Sequence, residues 1–230
     1  MKNPIKLIAT LLVAALASST LFGNGQEGLA SDGETLSGRI INLSIKPGAT
    51  VTFNGVDVTC SVKDMVGGAV NCLGDATIIL ADGSKNTVVS EMACTSAIYV
   101  PTNHTLTIRG GGSLEAKATK DYCAAIGACS KWLGVNEDRG QCGNIVIAGG
   151  KVTAVAGGSY AAAIGAASYK GKCGNITICG DADVTAVAGY SGFLASQLIA
   201  DVLSAALALV LYRVTFRKQP GQVSAGGTAA

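Results

Sequence analysis

Tyr122 and Tyr160 each stand four residues ahead of an isoleucine, Ile126 and Ile164, inside closely similar phrases, and Tyr190 falls near the same place one phrase later. Aromatic rings set in a row along a surface can stack on the apolar faces of sugars. The same row can equally be an aromatic ladder that only holds neighbouring segments together. Trp132, the one tryptophan, lies in an insertion, CSKWLGVNEDRGQ (129–141), beside a polar cluster of Asn136, Glu137, Asp138 and Arg139. Insertions between repeats project as loops and often carry binding. Tyr122, Tyr160, Tyr190 and Trp132 are therefore the candidate ligand-binding residues, with a polysaccharide or surface glycan as the partner that suits them.

Other chemistries find less material. Asp75, Asp82, Glu91, Glu115, Asp121, Asp181 and Asp183 are scattered, mostly at corners where turn formation accounts for them, so no paired carboxylates for glycoside cleavage stand out. The sequence GDAD (180–183) is a tight acidic pair, and it lacks the glycine-rich repeat of calcium-loaded β-rolls. The single histidine, His104, sits in PTNHT and reads as a solvated corner residue. With no Cys-x-x-Cys, no Ser-His-Asp set and no phosphate-cradling loop, the chain reads as a non-enzyme with no cofactor and no metal.

Eight cysteines remain to be explained. Cys142 and Cys173 both precede Gly-Asn-Ile, at matching places in consecutive phrases, and Cys94 and Cys123 both lie just upstream of a small residue plus isoleucine. Stacked segments would bring such pairs to about 4.8 Å, inside the Cα range of a disulfide. Cys142 with Cys173 and Cys94 with Cys123 are the candidate bridges, and a column of buried thiols acting as small hydrophobes is the alternative.

The elements that must position these residues follow from the repetition. CGNIVIAGGKVTAVAG (142–157) returns as CGNITICGDADVTAVAG (173–189), and weaker copies lie upstream. Ala69-Val70, Ala97-Ile98, Ala125-Ile126 and Ala163-Ile164 are each followed by an alternating apolar pair: Ile78 and Leu80, Leu106 and Ile108, Ile145 and Ile147, Ile176 and Ile178. Three of those pairs lead through a Gly-rich or Gly/Asp corner into a third alternating stretch: SLEAKA, KVTAVA and DVTAVA. Each copy thus predicts strand, corner, strand, corner, strand, with one buried face per strand and glycine at the sharp corners. A unit that cannot bury its face alone must stack on a copy of itself. The expected fold is all-β, a parallel β-helix. An antiparallel sandwich would not need its units to repeat. The composition agrees: 31 glycines, 5% aromatic and 14% charged residues suit a narrow core of small and β-branched side chains.

Residues 1–17 combine the basic start MKNPIK, the short apolar run LIATLLVAALA and a small-x-small site at Ala15-Leu16-Ala17, the pattern of a secretory signal peptide. Secretion permits disulfides. Loss of Lys2 and Lys6 with that leader leaves a neutral chain, which gives no electrostatic reason to expect nucleic acid. Residues 18–38 read as a linker, 39–192 as the β-helix, 193–218 as an apolar helix and 219–230 as a disordered tail. The segment FLASQLIADVLSAALALVLYRVTFRK (193–218) is long enough to span a bilayer and is followed by basic residues, so membrane contact through 193–212 is one reading. Gln197 and Asp201 inside it oppose that, leaving a helix that caps the stack, or an altered gene end, as alternatives.

The phrases AAIGA, CGNITI and VTAVAG, over about residues 68 to 189, resemble the Gly-rich β-helical repeats of secreted bacterial surface proteins of carbohydrate-binding or adhesin-like type. That resemblance implies a right-handed parallel β-helix and a secreted or cell-surface role, and it implies no catalytic residues. The chain departs from it after AGYSG, where a further repeat would be expected and none follows. The reading that results is a secreted or cell-surface, non-catalytic protein binding extracellular carbohydrate. A structural or adhesive protein with a protein partner is the alternative, and a polysaccharide lyase or hydrolase stands third.

Overall fold

The computed structural model describes residues 19–21, 28–60, 67–130, 140–167, 171–189, 202 and 204–213. The chain divides into two units at 192/193. The first is all-β. Every pairing between its named strands is parallel, as repeating units require and a sandwich of hairpins would not allow.

From the third coil onward, each coil contributes three strands and each strand pairs with the third one along. The coils are β6 (Gly67–Cys72), β7 (Ala76–Leu80) and β8 (Lys85–Ser90); β9 (Thr95–Tyr99), β10 (Thr105–Gly110) and β11 (Ser113–Ala118); β12 (Ile126–Gly127), β13 (Asn144–Ile147) and β14 (Lys151–Ala156); and β15 (Ile164–Gly165), β16 (Ile176–Ile178) and β17 (Asp183–Val187). Before them come β1 (Ser19–Leu21), β2 (Gly28–Ala30), β3 (Thr35–Ile41), β4 (Leu43–Ile45) and β5 (Thr50–Thr59). Paired strands therefore begin at Ser19, inside the 18–38 stretch that reads as linker, and β3 crosses its end. The correction has a simple cause: this stretch lacks the small residue plus isoleucine that marks the later coils.

β5 turns a corner within one strand. Its first half, Thr50–Phe53, pairs with β7, and its second half, Asp57–Thr59, pairs with β8. Gly55 between them has φ of 78°, a left-handed conformation that costs glycine little. Two faces of the stack are thereby joined into one 11-stranded sheet, and β2, β4, β6, β9, β12 and β15 form the other sheet of six strands.

The core is a set of side-chain columns. Leu43, Val70, Ile98, Ile126 and Ile164 lie in one register on one sheet. Val51, Ile78, Ile108, Ile147 and Ile178 form a second column. Alternation sends these side chains inward, and all but the last coil's members are fully buried. In the last coil Ile176 is 45% and Ile178 54% exposed, because β16 is the edge of its sheet among the described residues. The expected pairing of Ile145 with Ile176 is present. One coil is offset: Leu106 pairs with Ala76 and Ile108 with Ile78, two residues from the match of Ile78 with Leu106. A two-residue slip keeps every side chain on its face, so alternation alone does not choose between the two registers.

The second unit contains a helix over 202 and 204–213 whose described residues are exposed. Among the described residues no helix is long and apolar enough to cross a membrane. The expected signal peptide (1–17), the tail (219–230) and much of 193–218 lie outside the described residues.

Candidate functional site

The tyrosines stand at one corner of the stack. Cys94, Tyr122 and Tyr160 occupy it in successive coils, with φ of 59°, 61° and 57°. Left-handed backbone costs a non-glycine residue about 1–2 kcal/mol, so three in a column must be held by what surrounds them. Coil-to-coil bonds supply part of that hold: the Cys94 amide donates to the Asp121 carbonyl at 3.2 Å and the Tyr122 amide to the Ser159 carbonyl at 3.0 Å. The Ser159 amide donates to Asp121 Oδ1 at 2.6 Å.

Equal backbone angles at the sheet spacing make the rings parallel. The Tyr122 and Tyr160 centroids lie 5.3 Å apart with planes inclined by 9°. The sequence places the rings in a row but not their faces. Stacked face to face, they turn one face of each toward the other and away from any ligand. Tyr160 is 56% exposed and Tyr122 is half-buried, so the exposed tyrosine surface lies mainly on Tyr160. Tyr190 and Trp132, the other expected members of this surface, lie outside the described residues.

Of the two expected cysteine pairs, one is brought into direct register. Cys142 and Cys173 are parallel bridge partners whose Sγ atoms lie 2.7 Å apart. Burial, and then the neighbouring Cys173 thiol, push the Cys142 thiol well above its ordinary range. Both face a shallow depression lined by Asn103, Gln141, Asn144 and Lys172. Cys94 and Cys123 are neighbours in successive coils but stand one place out of register. The bond from Cys94 to the Asp121 carbonyl places Cys94 alongside Tyr122, one residue off Cys123. Cys123 is fully buried while Cys94 sits at the turn and is partly exposed. Among the described residues no disulfide joins any cysteines.

The corner carboxylates Asp32 and Asp75 take backbone amides as partners. They staple coils together: Asp32 Oδ1 accepts the Thr50 amide at 2.8 Å, and Asp75 Oδ1 accepts the Thr105 amide at 2.8 Å. Asn144 Oδ1 does the same for the Asn175 amide at 2.9 Å. His104 is not simply solvated, since its Nδ1 lies 3.3 Å from Asp75 Oδ1. The legible signal was an Asp or Asn at a corner with Thr, Asn or Ser at the next coil's equivalent place. Asp183 of the GDAD pair meets Lys151 Nζ at 3.3 Å on the exposed face. Among the described residues no three His, Cys, Asp or Glu side chains are grouped to hold a metal ion.

A second concave surface lies on the face of β8, β11 and β14. Ser113 is short and stands between Lys85 and Lys151 in one register, leaving a dip bordered by Thr87, Glu115 and Thr153. Mixed charge and an open form make it a shallow surface of mixed character rather than an enclosing pocket. Comparison of the chain with protein-family models, with curated proteins and with solved structures finds no match.

Proposed function

We propose that this chain is a right-handed parallel β-helix acting outside the cell, as a secreted or surface protein, and that it binds carbohydrate without transforming it. Right-handed crossovers between parallel strands are the general rule, about 98% of cases, which supports the hand. The leader pattern in residues 1–17 supports export. The observation that carries the binding reading is the Tyr122–Tyr160 pair: two parallel rings kept at a left-handed corner, with Tyr160 more than half exposed. The open side of Tyr160 offers an apolar platform for a sugar ring, and its hydroxyl offers a polar handle.

A second reading has its own support. Face-to-face stacking uses part of each ring within the protein, which favours a ladder in a structural or adhesive surface protein with a protein partner. Replacing Tyr160 by Ala separates the two. The platform requires that binding on a glycan array falls about tenfold, the scale of a lost aromatic contact, while added salt changes it little. A variant that binds every polysaccharide as the parent does, yet melts at a lower temperature, leaves the ladder and ends the platform.

A further inference from the structure

Cys123 and Cys129 were paired by neither spacing nor repeat, yet they face each other across a tight turn within one coil. They are antiparallel bridge partners. The Ala124 amide donates to the Ala128 carbonyl at 2.9 Å, and the Ser130 amide donates to the Tyr122 carbonyl at 2.9 Å. These two bonds flank the cysteines, which are therefore the non-hydrogen-bonded pair of this short ladder. In such a pair the Cα atoms approach to about 4.5 Å with both side chains on the same side, inside the roughly 4.4–6.8 Å range of a disulfide.

The next coil shows what the turn needs without sulfur. Ala161 and Ala167 form the same antiparallel bridge, and the Ala162 amide donates to the Ala166 carbonyl at 3.2 Å. Alanine at both places suffices for the backbone, so two cysteines in the preceding coil add a chemistry that the turn does not require.

We propose that Cys123 and Cys129 are a dithiol site that closes to an intramolecular disulfide by exchange with a disulfide-bearing oxidant. One cysteine thiolate attacks the oxidant's S–S bond and releases a thiol. The second then displaces the mixed disulfide and releases the other. The two cysteines lose two electrons and two protons, and the oxidant's disulfide leaves as two thiols. In the structure Cys123 Sγ donates to the Lys120 carbonyl at 2.8 Å, so closure turns that side chain away from Lys120. Burial pushes both thiols up to about 11, which keeps them protonated in the folded chain and places the exchange before the coil packs. Cys94 is near enough to act electrostatically on both thiols and is the competing partner.

The site lends itself to a direct test because Lys120 and Lys131 bracket it, so trypsin releases both cysteines in one peptide, 121–131. The full chain is refolded with a mixture of oxidised and reduced glutathione, denatured with iodoacetamide and digested. The peptide should emerge unlabelled and lighter by two hydrogen atoms than its dithiol form, and it should do so equally in Cys94→Ala and in Cys142→Ala. Double alkylation of that peptide, or its linkage to the peptide carrying Cys94, would overturn the proposal. A Cys123→Ala, Cys129→Ala variant should fold as the alanine pair of the next coil does. Cys94 should be alkylated in this variant and in the parent alike; a Cys94 protected in the parent and alkylated only in the variant would show that Cys94 holds the bond, and the proposal fails.

Discussion

Asn86 is the residue whose replacement tests most directly how the coils are joined. It points into the core at 2% exposure, in register with Leu114 of the next coil. Its Oδ1 accepts the Gly55 amide at 2.9 Å and the Val56 amide at 3.1 Å, both from the preceding coil at the point where β5 bends. Its Nδ2 donates to Ser84 Oγ at 2.8 Å and to the Ser113 carbonyl at 2.9 Å, the latter one coil onward. One amide thus serves three coils. Leucine would continue the apolar column and gain about 1.5–3 kcal/mol from burial. It would also leave two amides and one carbonyl without this partner, at about 1–3 kcal/mol each. At the middle of these ranges the balance makes Asn86→Leu less stable by about 4 kcal/mol, despite being more apolar in a core position. Urea unfolding followed by far-UV circular dichroism should show a lower midpoint with an unchanged slope. An Asn86→Leu chain as stable as the parent would refute the claim that this amide secures the bend at Gly55.

Two further outcomes rest on sulfur. If Cys142 and Cys173 bridge in the oxidised protein, both escape alkylation until reduced, and a reductant lowers the melting temperature through a loss of about 2–5 kcal/mol; full labelling of both in the unreduced, denatured chain would exclude the bond. Burial pushes the Cys72 thiol from 9.0 up to about 12. A raised folded value means that its contribution is intact below the unfolded thiol's 9.0 and is lost as pH rises from there toward about 12. The stability difference between the parent and Cys72→Ala should therefore shift against the parent between about pH 8 and about pH 10, and a constant difference would show that the thiol ionises as readily folded as unfolded.

Residue types and their spacing determined a good deal of this protein. The alternation in NIVI, KVTAVA and DVTAV marked strands and their buried faces, and the small residue plus branched apolar residue marked one column, Val70, Ile98, Ile126 and Ile164, in its true register. The all-β class, the parallel pairing and the match of Ile145 with Ile176 were legible for the same reason: a side chain's face depends only on its own position along the strand. What required the tertiary structure was every relation that crosses from one coil to another at a corner. Leu106 pairs with Ala76 rather than Ile78, because a two-residue slip preserves both faces and only the packed corners select the register. One residue of offset at the left-handed corner moved Cys94 from Cys123 to Tyr122. The same corner decided that Tyr122 and Tyr160 stack face to face, a choice fixed by φ and by the spacing of coils and not by the type of residue. Asp75 and Asp121 read as ordinary corner residues, and their partners, like that of Asn86, lie 27 to 38 residues away in sequence. Such partners become neighbours only once the coils have stacked, so the bonds that hold this fold together belong to its register and not to any one segment of the chain.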